Sequence, residues 1–314
     1  MTTEYVDLPE NATVREAFGH IRRTGLGKET IYTCYVIRKD RLLLGVVSAK
    51  DLMLARPREK IRNIMDSNFV FAHTTDDQEH IAQQFRKYGL LAMPVVDKEQ
   101  RLVGIITVDD IVQVIIDETT EDIEKMGALA PSDDPYLKTG IFRLAFNRIP
   151  WLLVLMLSAT ITGSIIMSFE NSLAVIPILM AFIPMLMDTA GNSGAQVSAL
   201  IIRGMAVGEI HLKDVLKVMW REIRVGTICG LVLGLVNLVR IYLMNGRDLV
   251  LSLTVTISLF ATILMAKTIA SLLPMLAKRI KIDPAVMAAP MITTIVDAAA
   301  LLIYFSVAKF MLGV

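Results

Sequence analysis

The sequence is poor in cysteine, histidine, aromatic residues and charge. Two cysteines, Cys34 and Cys229, are too far apart for a metal-ligand spacing and too few for a disulfide framework. The four histidines, His20, His73, His80 and His211, form no His-Glu-x-x-His pair, which excludes a zinc protease of that pattern. Gly25-Leu-Gly-Lys28-Glu29 is a poor phosphate loop, because Arg22 stands where the first glycine belongs and Glu29 follows the lysine. A net charge of +1 gives no reason to expect a nucleic-acid partner. Residues 1–16 are polar and acidic, so no secretory leader is visible there. No catalytic motif emerges, and the sequence reads as a non-enzyme. Only 20% of the 314 residues are charged whereas 54% are hydrophobic, an imbalance unusual for a wholly soluble chain.

The apolar residues are unevenly spread. Residues 1–140 alternate short apolar runs with charged stretches, whereas residues 149–314 hold long apolar runs. The first part contains an internal repeat. Residues 1–23 and 65–87 each offer a methionine, a short β-like run ending at Val6 or Val70, a polar turn and an amphipathic helix. The stretch from Tyr35 to Leu52 then aligns with Pro94 to Ile111: strand, charged hairpin, Val- and Ile-rich strand, helix start. Ser48 and Thr107 stand where a helix N-cap is wanted.

This repeat resembles a tandem pair of CBS domains, carried by Gly45-Val-Val-Ser48-Ala-Lys-Asp51 and Gly104-Ile-Ile-Thr107-Val-Asp-Asp110. The resemblance implies that Ser48, Asp51, Thr107 and Asp110 could contact the phosphate and ribose of a nucleotide such as ATP. Simple helix capping explains the same residues.

Five segments are long enough to cross a hydrocarbon core, near 149–169, 173–202, 223–244, 249–276 and 284–314. Lysines and arginines gather before the first, between the second and third, and between the fourth and fifth. That places the repeat in the cytoplasm and the carboxyl terminus outside, in a multi-pass protein of the cell's inner membrane. Asp297 lies inside the last segment, about 21 Å along a helix from Asp283. Thr293, Thr294 and Asp297 share one face, an oxygen stripe suited to a hard cation or its water shell. A buried pair of Asp297 with Lys267 is the structural alternative. The second segment is interrupted by Pro177, Pro184, Gly191 and Gly194, with Asp188, Asn192, Ser193 and Gln196 among them. Polar, broken backbone at that depth lines protein or water; close packing through Gly191-x-x-Gly194 is compatible with either.

The stretch Asp283-Pro-Ala…Pro290…Thr293-Thr294…Asp297 resembles the pore helix of the MgtE family of magnesium channels, and Gly191-Asn-Ser-Gly194-Ala-Gln196 is similar to its second-helix motif. The resemblance covers essentially the whole chain. It implies α/β tandem CBS domains followed by an all-α five-helix transmembrane domain. The divisions are 1–63 and 64–116 for the two CBS domains, 117–140 for an acidic connecting helix and linker, and 141–314 for the pore. It also implies a homodimer in the lipid bilayer with the pore on its two-fold axis. Asp297 would form the ion-selective ring, Asp283 would lie nearer the cytoplasmic mouth, and Thr293, Thr294 and Asn192 would line the path. Family members carry a helical domain ahead of the CBS pair that this sequence does not show, so looser gating is expected.

Between the halves lies the acidic run 117–129, with Asp133 and Asp134 soon after. A solvated helix is its plain explanation. The resemblance favours a regulatory one, in which cytoplasmic Mg²⁺ screens Glu118, Glu121 and Asp122 and closes the pore. A proton- or sodium-coupled carrier of divalent cations, using Asp297 and Asp188, is the competing function.

Overall fold

The internal repeat is visible as two copies of one sheet. The computed structural model describes residues 1–132, 136–244, 248–287 and 289–313, so Asp133, Asp134, Arg247 and the last residue of the fifth expected span lie outside the described residues. The chain divides into two units, Met1–Thr119 and Thr120–Val314.

In the first unit, β1 (Val6–Pro9), α1 (Val14–Thr24), β2 (Thr33–Ile37), β3 (Leu43–Ser48), α2 (Ala49–Leu54) and α3 (Ile61–Ile64) form one copy. The second copy is β4 (Ala72–His73), α4 (Gln78–Tyr88), β5 (Ala92–Val96), β6 (Leu102–Thr107) and α5 (Val108–Met126), a helix that runs on into the second unit. Each sheet has the order parallel then antiparallel, and each shifts register at the same place, Val36/Ile37 and Val95/Val96. The first strand begins at Val6 instead of ending there. Val6 and Leu8 alternate into the core, so the chain stays extended until the polar turn at 10–13. Likewise the second copy starts pairing only at Ala72.

Local chemistry sets the helix starts. Thr13 and Glu16 close a reciprocal capping box on α1, and Asp77 accepts from the amides of Glu79 and His80 to cap α4. The two copies lock together at their hairpin glycines. Val46 and Asp66 exchange backbone hydrogen bonds of 3.0 and 2.8 Å, and Thr2 and Ile105 exchange two of 2.9 Å. A Cβ at Gly45 would lie 2.7 Å from the Asp66 carbonyl, and one at Gly104 2.8 Å from that of Thr2. The repeat glycines are therefore seats for the other copy's backbone. Tyr5, Tyr35, Val96, Leu102 and Ile105 fill the core between the sheets.

The second unit is helical: α6 (Ile141–Ser168), α7 (Glu170–Val175), a 3₁₀ stretch (Pro177–Phe182), α8 (Ile183–Ala206), α9 (Val215–Met244), α10 (Leu249–Arg279), a 3₁₀ turn (Pro284–Met287) and α11 (Ala289–Leu312). Among the described residues four helical stretches, Ile141–Ser168, Leu212–Met244, Leu249–Arg279 and Pro284–Leu312, are long and apolar enough to cross a membrane. The second expected span is the interrupted one. Pro177 opens the 3₁₀ stretch, Pro184 stands in the first turn of α8, and Asp188, Asn192, Ser193 and Gln196 all fall on α8.

Helix α10 packs against α8, α9 and α11 and is the most buried. Its buried Ser252, Thr254 and Ser258 donate to carbonyls one turn back at 2.6–2.8 Å, and Thr262 donates to the Ser258 carbonyl, so these hydroxyls need no water. Gly226, Gly230 and Gly234 of α9 face Leu264, Phe260 and Thr256 of α10, where the missing side chains let the helices approach.

Candidate ion path and regulatory contacts

Helices α8 and α11 run in opposite directions and touch through small residues. Ser198 donates to the Met287 carbonyl at 3.1 Å. One turn further along, Gly194 rests on Ile292, where a Cβ would come within 3.0 Å of Cγ2. Gly191 then lies against Thr293 and Asp297, 3.2 Å from Thr293 Cγ2 and 3.5 Å from Asp297 Oδ1 by the same measure. The glycine-rich segment thus seats α8 on the oxygen-bearing face of α11.

The hydroxyls of Thr293 and Thr294 both donate to the Pro290 carbonyl at 3.0 Å. Their hydrogens are committed to the backbone, which leaves oxygen lone pairs as the groups on offer. Such acceptors suit the hydrogens of an ion's hydration water. Asp297 is half-buried on this face, and Asp188 of α8 lies within electrostatic range of it. Asn192 donates to Asp188 at 3.0 Å. Asp188, Asn192 and Gln196 recur every fourth residue and are exposed, a polar stripe along α8.

Lys267 does not pair with Asp297. Its stem lies against α9, with Cδ 3.2 Å from the position a Gly226 Cβ would take. Among the described residues neither Asp188 nor Asp297 has a basic side chain within 4.0 Å. Among the described residues there is also no group of three His, Cys, Asp or Glu arranged to ligate a metal directly.

Asp283 sits at the start of α11's lead-in turn. Its Oδ1 accepts from the Ala285 amide at 2.9 Å, and its Oδ2 takes Lys125 Nζ at 2.6 Å. The same ammonium reaches Glu121 at 2.5 Å. Burial alone lowers the lysine's pKa, but its bonds to Asp283 and Glu121 outweigh that and hold it above its ordinary value. Of the three expected regulatory acids, Glu118 takes a 2.6 Å hydrogen bond from Gln78 and Glu121 takes Lys125. Lys125 is the one base within the acidic run 117–126, and local sequence gives no signal of its pairing with Asp283, 158 residues away.

In the first unit, Ser48 caps α2: its Oγ accepts from the Asp51 amide at 3.0 Å and bonds the Asp51 carboxylate at 2.5 Å. The second repeat differs. Thr107 bonds Asp109, whose carboxyl that bond holds below the usual range. Asp110 instead pairs with the Met1 amino group at 3.2 Å and lines a cavity of about 310 Å³ with Gln78, Ile106 and Gln113 among others.

Residues 183–307 match the MgtE model, a divalent cation transporter, and residues 1–58 and 61–117 each match the CBS domain. The magnesium transporter MgtE of Thermus thermophilus is 39% identical over 312 residues, covering 99% of this chain and 69% of that one. That of Bacillus subtilis is 36% identical, covering 98% and 68%. Among solved structures, the soluble part of a magnesium transporter is 42% identical over 38% of this chain and 46% of that one, with a TM-score of 0.37. The cytosolic domain of the Mg²⁺ channel MgtE in complex with ATP is 44% identical over 36% and 46%, with a TM-score of 0.36. With two CBS repeats, a bundle of apolar helices and likeness along nearly the whole of its own length to about two thirds of these transporters, the chain belongs to the MgtE family of magnesium transporters.

Proposed function

We propose that Mg²⁺ crosses the membrane as a hydrated ion along the polar face shared by α8 and α11, in a channel whose opening falls as cytoplasmic Mg²⁺ rises. The observation that carries this reading is the Asp297 carboxylate beside Thr293 and the Gly191 backbone, with no basic side chain within 4.0 Å among the described residues. Mg²⁺ dehydrates reluctantly, so carboxylates and threonine oxygens bind it best through its waters. Thr293, Thr294 and Asn192 line that route, and Asp283 stands at its cytoplasmic mouth.

The exposed stripe Asp188, Asn192 and Gln196 supports a homodimer, because lipid does not solvate such groups and a second copy closing a water-filled path does. Basic residues such as Arg143, Arg148, Lys278 and Arg279 support a cytoplasmic first unit. Regulation is placed at the acidic stretch of α5, including Glu118, Glu121 and Asp122. An ion binding only the closed state adds about 2.7 kcal/mol at a hundredfold excess over its Kd, so two or three sites suffice to switch the population. ATP at Ser48–Asp51 or Thr107–Asp110 is a further regulatory ligand in this reading; the Ser48–Asp51 bond must open to admit it.

Mg²⁺ flux into liposomes tests the core of the proposal. Asp297→Ala nearly abolishes it while the protein still inserts and dimerises; retained selective flux sinks the assignment. Single-channel recording separates this from the coupled-carrier alternative, since discrete openings belong to a channel and slow flux tied to a proton or sodium gradient to a carrier.

A further inference from the structure

Asp188 has no explanation in the fold. It is exposed on a helix of the membrane-embedded unit, it is not needed to cap that helix, and it makes no ion pair among the described residues. Helix α8 begins at Ile183, so Asp188 lies beyond the first turn, where the helix dipole stabilises a carboxylate most. A lone carboxylate in a membrane-spanning unit is costly and needs either a partner or water.

The order of contacts between the antiparallel helices fixes its level. Ser198 meets Met287 near the Asp283 end, Gly194 meets Ile292, and Gly191 meets Thr293 and Asp297. Asp188, one turn beyond Gly191, therefore falls on the far side of Asp297 from Asp283. Asn192 binds its Oδ1 at 3.0 Å, which fixes the carboxylate and leaves the second oxygen unengaged by any protein donor among the described residues.

We propose that Asp188 is a second ion-contacting residue of the transport path, receiving a hydrated divalent cation at the end of the path away from Asp283 and passing it to Asp297. This rests on the reading of the α8–α11 face as that path. Two carboxylates with no cation between them repel each other, and a divalent ion held through its water shell removes the repulsion. Two levels of charge also let an arriving ion loosen the one ahead, which keeps binding compatible with exit. Asn192 acts as a positioning residue, through its bond to Asp188.

The test is Mg²⁺ flux into liposomes containing the full chain, with external Mg²⁺ varied and hexaamminecobalt(III) as a probe that presents a hydrated-ion shape but cannot shed its ligands. Asp188→Asn keeps the size and the partner Asn192 but removes the charge. It should raise the half-saturating Mg²⁺ concentration on the order of tenfold, the scale of one full charge acting on a nearby divalent ion in a wet site, and weaken block by the cobalt complex to a similar degree. Asp188→Glu should retain both. Wild-type half-saturation and block in Asp188→Asn overturn the proposal, as does a loss in Asp188→Glu equal to that in Asp188→Asn, which marks a packing role. Asp297→Ala run alongside separates the two failures. If it abolishes flux while Asp188→Asn behaves as wild type, only the role of Asp188 falls; if both leave flux intact, the path itself is wrong and this inference falls with it.

Discussion

Lys125 Nζ lies 2.6 Å from Asp283 Oδ2 and 2.5 Å from Glu121 Oε1, so a lysine of the acidic helix α5 bridges that helix to the foot of α11. An ammonium between two carboxylates holds the place that a divalent ion would otherwise take. The bridge is partly exposed, and pairs of that kind contribute about 1 kcal/mol or less once solvent screening is counted. A contact that weak can be exchanged for an ion at millimolar concentration.

Removing the lysine should therefore sharpen regulation. Lys125→Met leaves Glu121 and Asp283 facing each other without a cation, and the Mg²⁺ concentration that half-closes the channel should fall several-fold. The measurement is open probability against cytoplasmic Mg²⁺. A midpoint unchanged from wild type assigns the bridge to packing alone.

Neutralising Glu118, Glu121 and Asp122 together should weaken inhibition by millimolar Mg²⁺ and leave permeation through the open pore unchanged. Protease protection of residues 117–140 should rise with Mg²⁺ at the same midpoint as closure in the wild type. Separate midpoints, or normal closure in the triple variant, reduce the linker to a tether.

Gly191 offers a packing test. A methyl there sits 3.2 Å from Thr293 Cγ2, close enough that a neighbour must give by a few tenths of an ångström, and a valine cannot be accommodated without parting α8 from α11. Overpacking of this kind costs roughly 1–3 kcal/mol. Gly191→Ala should lower Mg²⁺ flux partially and Gly191→Val severely, read by liposome flux on protein of matched oligomeric state.

Adenosine nucleotides should raise the melting temperature of the chain if either repeat binds them. Asp110→Ala should remove the shift if the second repeat is the site, and Asp51→Ala if the first is; Asp110 lines the 310 Å³ cavity and pairs with the Met1 amino group at 3.2 Å, as Asp51 is tied to Ser48, so either contact must open for the nucleotide. No shift at millimolar ATP, with or without Mg²⁺, returns all four residues to capping. Ser48→Ala should still cost about 1 kcal/mol as a lost N-cap.

The first unit also carries a pH signature. Cys34 is fully buried, and burial pushes its thiol up to about 12 from near 9. Its folded pKa lies above the unfolded value, so the stability it contributes is complete below pH 9 and is lost as pH rises towards 12. Cys34→Ala should flatten that alkaline slope in a thermal-melting series, at some cost from the smaller side chain.

Much of this architecture was written in the sequence by periodicity and length. Two strands flanking a charged hairpin, repeated with the same glycine, require only local alternation and turn chemistry, and Thr13, Ser48 and Asp77 cap where short polar side chains can reach nearby amides. Apolar runs long enough to cross a bilayer announce themselves by composition. Asp297 stood out because a carboxylate in such a run is costly wherever it is placed. The first strand's start at Val6 was misplaced by several residues, because methionine and polar residues before it gave no boundary signal stronger than the inward alternation of Val6 and Leu8.

Tertiary structure alone decided the pairings between distant residues. Local pattern cannot say that Lys125 finds Asp283, that Lys267 turns to α9 and leaves Asp297 without it, or that Gly191 brings Asp188 and Asp297 to one face. Side-chain periodicity specifies which face of a helix is polar, whereas the rotation and depth at which two helices meet depend on the fit of small residues into one another's grooves. That fit exists only when the whole bundle is assembled.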